Sequence, residues 1–170
     1  MTFKPFLSLA AVAVLTAASG AAFAREPWAV SGEEPIDPYT ASDANAGAAP
    51  FVGKEMFEAF HGKAGIDRIV TDMLDQAFAD PRISDIFKGH DRVRLQRVLS
   101  EQFCYILGGS CAYTGRDMAS AHKDMGVAPA DMNTLVEHLQ TAMEKEGVPY
   151  QTQNRFLAKL APMKQSVVGQ

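Results

Sequence analysis

The sequence has few of the features that mark several common functional classes. Only two cysteines and one tryptophan occur in 170 residues, and the formal net charge is −4. Lysine and arginine form no cluster, so the chain is a poor partner for nucleic acid or for an anionic membrane surface. Internal repeats and the alternating pattern of β-strands are also absent. These absences leave a mildly acidic helical protein as the main class to consider.

Apolar runs are short except at the amino terminus, where residues 7–22 read LSLAAVAVLTAASGAA. This run is interrupted and rich in alanine, whereas a membrane span needs about 20 strongly apolar residues. Ala22-Phe23-Ala24 fits a cleavage site, so residues 1–24 are predicted to be a secretory signal peptide. The mature chain would begin at Arg25, carry a net charge of −5 and be periplasmic, or secreted where no outer membrane exists. An uncleaved anchor is the alternative.

Residues 25–50 contain four prolines and the small-residue run ASDANAGAA, without a sustained apolar period. This composition is typical of an extended, flexible tether. Trp28 lies in this segment and is therefore not expected in the core. The 120 residues from Phe51 to Gln170 are enough for one domain with a hydrophobic core.

Cys104 and Cys111 allow two interpretations, a disulfide or two buried thiols. An exported chain permits a disulfide. Seven residues of straight helix would separate the Cα atoms by about 10 Å, which is beyond bonding reach. The Gly108-Gly109 pair between them can reverse the chain, so both interpretations stay open.

Helical periodicity dominates the domain. In residues 65–79, apolar side chains recur at steps of three and four and form a broad stripe. Asp80-Pro81 and Gly108-Gly109 end helices, while Pro129 and Pro149 lie near first turns. The predicted helices are 54–60, 65–79, 91–107, 117–125, 129–146 and 149–168. The fold class is therefore all-α, with short connections.

One histidine lies on an apolar helical face between two glycine breaks. Asp117 or Thr114 can cap the helix, and Met118, Ala121, His122 and Met125 then share one face. An imidazole in these surroundings is either a buried histidine with a backbone partner or a metal ligand in a cofactor pocket. The segment alone does not decide between them.

The helix order, together with a set of short motifs, resembles the truncated hemoglobins, or two-over-two globins, most closely their first group. The matching residues are Ala79-Asp80-Pro81-Arg82, Ile86-Phe87-Lys88-Gly89-His90-Asp91, Leu107-Gly108-Gly109, Tyr113-Thr114-Gly115, Met118 with Ala121-His122, Gly126-Val127 and Val136-Glu137-His138-Leu139. The resemblance covers nearly all of residues 51–170. It implies a globin-like two-over-two helical sandwich around a heme.

The resemblance also implies the roles of individual residues. His122 would be the proximal ligand of the heme iron, and Phe87 would pack flat on the heme face. Met118 and Val127 would line the pocket, and Arg94 and Lys123 would be the first candidates to meet the heme propionates. No Cys-x-x-Cys-His motif occurs, so a non-covalent heme b is expected.

The other face of the iron departs from the family pattern. First-group members commonly have a tyrosine in the second helix and often a glutamine in the helix facing the heme, and matching the segments places Leu74, Leu95 and Leu99 at these positions. Leucines donate no hydrogen bond to a bound gas. Gln96 and Gln102 are assigned to other faces of the helix. His90 has two interpretations, a second iron ligand or a solvated loop residue.

The resemblance implies reversible binding of oxygen, carbon monoxide and nitric oxide, and oxygen transport is the family's general role. An enzyme that dioxygenates nitric oxide is one alternative. A heme-based sensor or an electron-transfer protein with a redox partner is another, and a cofactor-free helical interaction domain is the last. No partner among nucleic acids, and no membrane contact beyond export, is expected.

Overall fold

The computed structural model describes residues 26–170, and all regular structure in this range is helical. The α-helices are α1 Glu55–Ala59, α2 Gly62–Ala79, α3 Ser84–Phe87, α4 Arg92–Ile106, α5 Met118–His122, α6 Pro129–Lys145 and α7 Tyr150–Leu160. Two 3-10 helices span Asp43–Ala46 and Ala161–Ser166. The all-α class is confirmed. The predicted signal peptide and the start at Arg25 lie outside the described residues.

The long helices match their predicted positions, and the differences have local causes. α7 ends at Leu160 and continues as a 3-10 helix, because Pro162 lacks the amide hydrogen that an α-helix needs. α5 is only five residues long. The four-residue α3 follows the Asp80-Pro81 break and is too short to show a period.

The core lies between α2 and the two helices packed on it, α4 and α6. α2 buries the apolar stripe that its sequence predicts. Phe156 of α7 contacts Phe60 and Phe103 edge to face, with ring centroids 5.1 and 5.0 Å apart. Such aromatic pairs stabilize a core beyond the area they bury, so they fix α7 against α4.

A disulfide joins Cys104 of α4 to Cys111, with Cα atoms 5.8 Å apart. The chain reverses at Gly108, whose φ of +87° is the left-handed region that favors glycine. Gly109 lies so close to Cys104 that an added Cβ would come within 2.6 Å of its sulfur. The glycine pair therefore brings together two cysteines that a straight helix would hold apart.

Removal of this disulfide should lower the free energy of unfolding by about 2 kcal/mol, because the cross-link reduces the entropy of the unfolded chain and a loop this short reduces it only modestly. The test is urea denaturation of a Cys104→Ala/Cys111→Ala double variant. A reductant should shift the wild-type midpoint toward that of the double variant and leave the double variant unchanged. An intact mass showing two free thiols in the oxidized wild type would contradict the assignment.

Residues 26–50, called the N-terminal arm below, differ from the predicted flexible tether. The arm packs along α4 and onto residues 113–115, and its Glu33 is buried. Trp28 is partly buried and meets Tyr39 of the same arm, with ring centroids 5.8 Å apart. Composition predicts a tether because the arm is poor in apolar residues. Ion pairs and backbone hydrogen bonds hold it instead.

None of the helices in residues 26–170 is long and apolar enough to cross a membrane.

Candidate functional site

Two adjoining cavities lie between α4 and α5 and extend toward α6 and the carboxyl terminus. Their volumes are about 170 and 480 Å³, and the larger falls within the range of about 300–1,000 Å³ common for small-molecule sites. Both are lined mainly by apolar side chains. They share Leu99, Gln102, Met118, His122, Met132, Leu135 and Val167. The shared wall makes them two parts of one site.

α5 presents His122 to both cavities. Asp117 caps the helix, accepting a hydrogen bond from the Ser120 amide at 2.9 Å, and this settles the choice between Asp117 and Thr114. Met118, Ala121, His122 and Met125 all line the smaller cavity, so the predicted shared face is present.

The His122 ring is held by one backbone hydrogen bond. Its Nδ1 lies 2.7 Å from the carbonyl oxygen of Met118, one turn earlier. A carbonyl only accepts, so Nδ1 carries the proton and the lone pair of the neutral ring is on Nε2. This arrangement fixes the tautomer as second-shell partners do for metal-bound histidines. Nε2 is thereby the nitrogen able to bind a metal.

Helix α4 forms the wall opposite α5. Leu95 and Leu99 line the smaller cavity together with Phe87 from α3 and Val127 after α5. The structure thus brings together six of the predicted site residues. They are Phe87, Leu95, Leu99, Met118, Val127 and His122.

Three predicted residues, Leu74, Lys123 and Arg94, lie outside both cavity walls. Leu74 is fully buried in the core beneath α4 and α6 and is not on the wall of either cavity. Lys123 is exposed at the end of α5 and also lies outside both walls.

Arg94, predicted to meet a heme propionate, faces the N-terminal arm in the structure. Its guanidinium donates to the carbonyl oxygen of Glu34 and lies 3.7 Å from the Glu33 carboxylate. A flexible tether would make no fixed contact with Arg94, so the sequence does not predict these acidic partners. Arg94 belongs to the contact between arm and domain.

Gln102 is the site residue that sequence reasoning missed. It lines both cavities, although the interpretation of α4 assigned it to another face. The signal was present: Leu95, Leu99 and Gln102 are spaced by four and three residues, which places them on one helical face. Its buried Nε2 donates to the Ala46 carbonyl oxygen at 2.8 Å.

The other histidines differ in their surroundings. His90 lines the smaller cavity while remaining exposed, so its two interpretations stay open. His138 lies 3.0 Å from the Asp80 carboxylate, whose pKa is lowered to about 2, mainly by hydrogen bonds from Arg82. Within residues 26–170 no group of three or more histidine, cysteine, aspartate or glutamate side chains could hold a metal ion.

A helical fold that places a tautomer-fixed imidazole in an apolar cavity is the arrangement in which globins hold heme iron. Comparison with known proteins makes this more specific. A model of the bacterial-like globin family matches residues 55–168, most of the chain, so the chain belongs to the bacterial-like globins. Group 1 truncated hemoglobins are among its relatives.

Two relatives and one solved structure illustrate the similarity. Group 1 truncated hemoglobin GlbN of Mycolicibacterium paratuberculosis is 28% identical over 108 residues, covering 64% of this chain and 79% of that protein. Group 1 truncated hemoglobin LI410 of Chlamydomonas moewusii is 32% identical over 98 residues, covering 55% and 56%. The Fe(III) truncated hemoglobin of Tetrahymena pyriformis superposes with a TM-score of 0.65 at 22% identity, covering 68% and 98%. The two-over-two globin fold is confirmed, and heme iron is implied by the relatives.

Proposed function

We propose that this truncated hemoglobin holds a non-covalent heme b through His122 and binds oxygen, carbon monoxide and nitric oxide reversibly. The observation that carries the proposal is the 2.7 Å hydrogen bond from His122 Nδ1 to Met118, which leaves Nε2 as the metal-binding nitrogen inside an apolar cavity. A ferrous heme supplies the open coordination site for a diatomic gas.

The other residues of the chain shape the cavity. Phe87, Met118 and Val127 provide apolar wall on which a flat, largely apolar cofactor would pack. Hydrophobic burial of this kind holds a cofactor without a covalent bond. Removal of the cofactor would expose this apolar wall to water, so cofactor binding should stabilize the folded protein.

The wall opposite His122 sets the selectivity between gases. Leu95 and Leu99 carry no hydrogen-bond donor. The Gln102 side-chain nitrogen donates to the Ala46 carbonyl oxygen and lies against the sulfurs of Met118 and Met163. A polar gas gains more from a donor than an apolar gas does. The site should therefore favor carbon monoxide over oxygen and release oxygen quickly.

The compartment belongs to the same proposal. The predicted signal peptide would send the protein to the periplasm, or outside the cell where no outer membrane exists. The Cys104–Cys111 disulfide supports this assignment, since disulfides persist mainly in oxidizing compartments. Intact mass of the protein from its native host tests whether Arg25 is the mature amino terminus.

Optical spectra of the purified protein in the ferric, ferrous and carbon monoxide states test the function. We expect a Soret band in all three, with a red shift on reduction and a sharp band with carbon monoxide. Acid–acetone extraction should remove the chromophore from the protein, because no covalent bond holds it. A protein that shows no Soret band after reconstitution with hemin would be a cofactor-free helical domain, and the proposal would fail.

A further inference from the structure

The N-terminal arm lies outside the part of the chain that the globin family accounts for, which is residues 55–168. It nevertheless makes buried contacts with both walls of the cavity site. We propose that the arm is a positioning element of the heme pocket, which holds the α4 wall and the segment leading to α5 in one fixed arrangement. This inference rests on the heme site proposed above.

The first contact fastens the arm to α4 through buried charges. The Glu33 carboxylate, 1% exposed, accepts two hydrogen bonds from the Arg97 guanidinium at 2.5 and 3.1 Å. The Arg97 side chain is itself 9% exposed. One residue along the arm, the Glu34 amide donates to the Asp91 carboxylate at 2.8 Å. Because both charges are desolvated, breaking the Glu33–Arg97 pair would leave the buried Arg97 guanidinium with Glu101 as its remaining carboxylate partner, which is unfavorable.

The second contact fastens the arm to residues 113–115, which precede α5. The Asp43 carboxylate accepts from the Tyr113 amide at 2.7 Å, and the Tyr39 hydroxyl donates to the Thr114 carbonyl oxygen at 2.7 Å. Thr114 is also tied to Glu101 of α4. The arm therefore connects the helix that forms one wall with the segment that leads into His122.

The third contact reaches the cavity wall directly. The Ala46 carbonyl oxygen accepts from the buried Gln102 amide, whose Nε2 lies 3.5 Å from the Met118 sulfur and 3.8 Å from the Met163 sulfur. At the next residue, an added Cβ on Gly47 would come within 2.9 Å of the Met163 sulfur. All three side chains line the larger cavity beside His122. Close packing of this kind transmits a shift of the arm to the cavity wall.

The test compares two variants of the full mature chain that remove the same charge at neighboring positions. Glu33→Gln breaks the buried pair with Arg97, whereas Glu34→Gln is the control, since that side chain is exposed and Glu34 contacts the domain through its backbone. Transfer of heme to excess apomyoglobin is measured by stopped-flow absorbance. We expect transfer from Glu33→Gln to be about tenfold faster or more than wild type, and transfer from Glu34→Gln to change less than about twofold.

Hydrogen exchange of the wild-type chain, with and without heme, tests the coupling between the arm and the heme pocket without a substitution. It therefore tests the proposal even if Glu33→Gln fails to fold. Heme binding should slow amide exchange in residues 43–47 and 113–115 as well as in α5. Unchanged exchange in residues 43–47 would overturn the inference, as would equal heme transfer from the two variants. Absence of a Soret band in wild type would instead overturn the proposed heme site itself.

Discussion

Replacement of His122 by alanine should abolish stable coordination of heme iron and lower the melting temperature. In the proposed site the imidazole binds the iron, and its loss would also open a gap in the apolar packing around the cofactor. A bound cofactor stabilizes the folded state by about 4 kcal/mol when its concentration is about a thousandfold above its dissociation constant, and most of this contribution should disappear. Ferrous carbon monoxide spectra and thermal melts at equal hemin concentration measure both effects.

His61→Ala is the matched control for this substitution. Its side chain is 49% exposed, contacts Glu146 and lies outside both cavity walls, so the spectrum and hemin affinity of this variant should match wild type. Added imidazole should restore a coordinated spectrum to His122→Ala, because a small ligand can enter the space that the side chain leaves. If His122→Ala kept the wild-type carbon monoxide spectrum and melting temperature, another residue would be the ligand.

Introduction of a donor on the α4 wall should slow the release of oxygen about ten- to hundredfold. Leu99 lines both cavities, and Leu99→Gln places an amide there. A hydrogen bond with charged character contributes about 1.5–3 kcal/mol, which corresponds to that range of rates. Release of carbon monoxide should change much less, since that gas is less polar when bound. Stopped-flow release of both gases from wild type and variant measures the difference.

Leu99→Met separates the donor from the change of shape, because methionine has nearly the volume of leucine and brings no donor. Oxygen release from this variant should stay close to wild type. Leu74→Tyr, the substitution that the family pattern alone would favor, is a weaker test here, since Leu74 is fully buried in the core and a phenol would have to displace its neighbors. Slow oxygen release in wild type would reveal a donor already present, for which His90 on the cavity wall is the first candidate.

The parts of the fold that sequence predicts are those with long periodic patterns. Apolar residues spaced three and four apart predict α2, α4 and α6, because each of these helices buries one face. The shared face of α5 and its histidine follow from the same rule. α3 has four residues and offers no period.

The parts that sequence does not predict depend on contacts between distant positions. Glu33 and Arg97 are 64 residues apart, and nothing near either residue indicates the other. A sequence that does not reveal this pair predicts a tether for the arm and leaves Arg94 as a candidate to meet a propionate. Gln102 is a different case, because its spacing from Leu99 placed it on the cavity face.

The arm also has a consequence for the order in which the chain assembles during synthesis. It emerges early, but its partners Arg97, Tyr113 and Thr114 follow 64, 70 and 75 residues later. Contacts between such distant positions form slowly, because a long loop must close first. The Cys104–Cys111 loop spans only seven residues, so it closes more readily once both cysteines are present. The cavity wall beside Ala46 is therefore completed only after the chain has been made through α4 and residue 115.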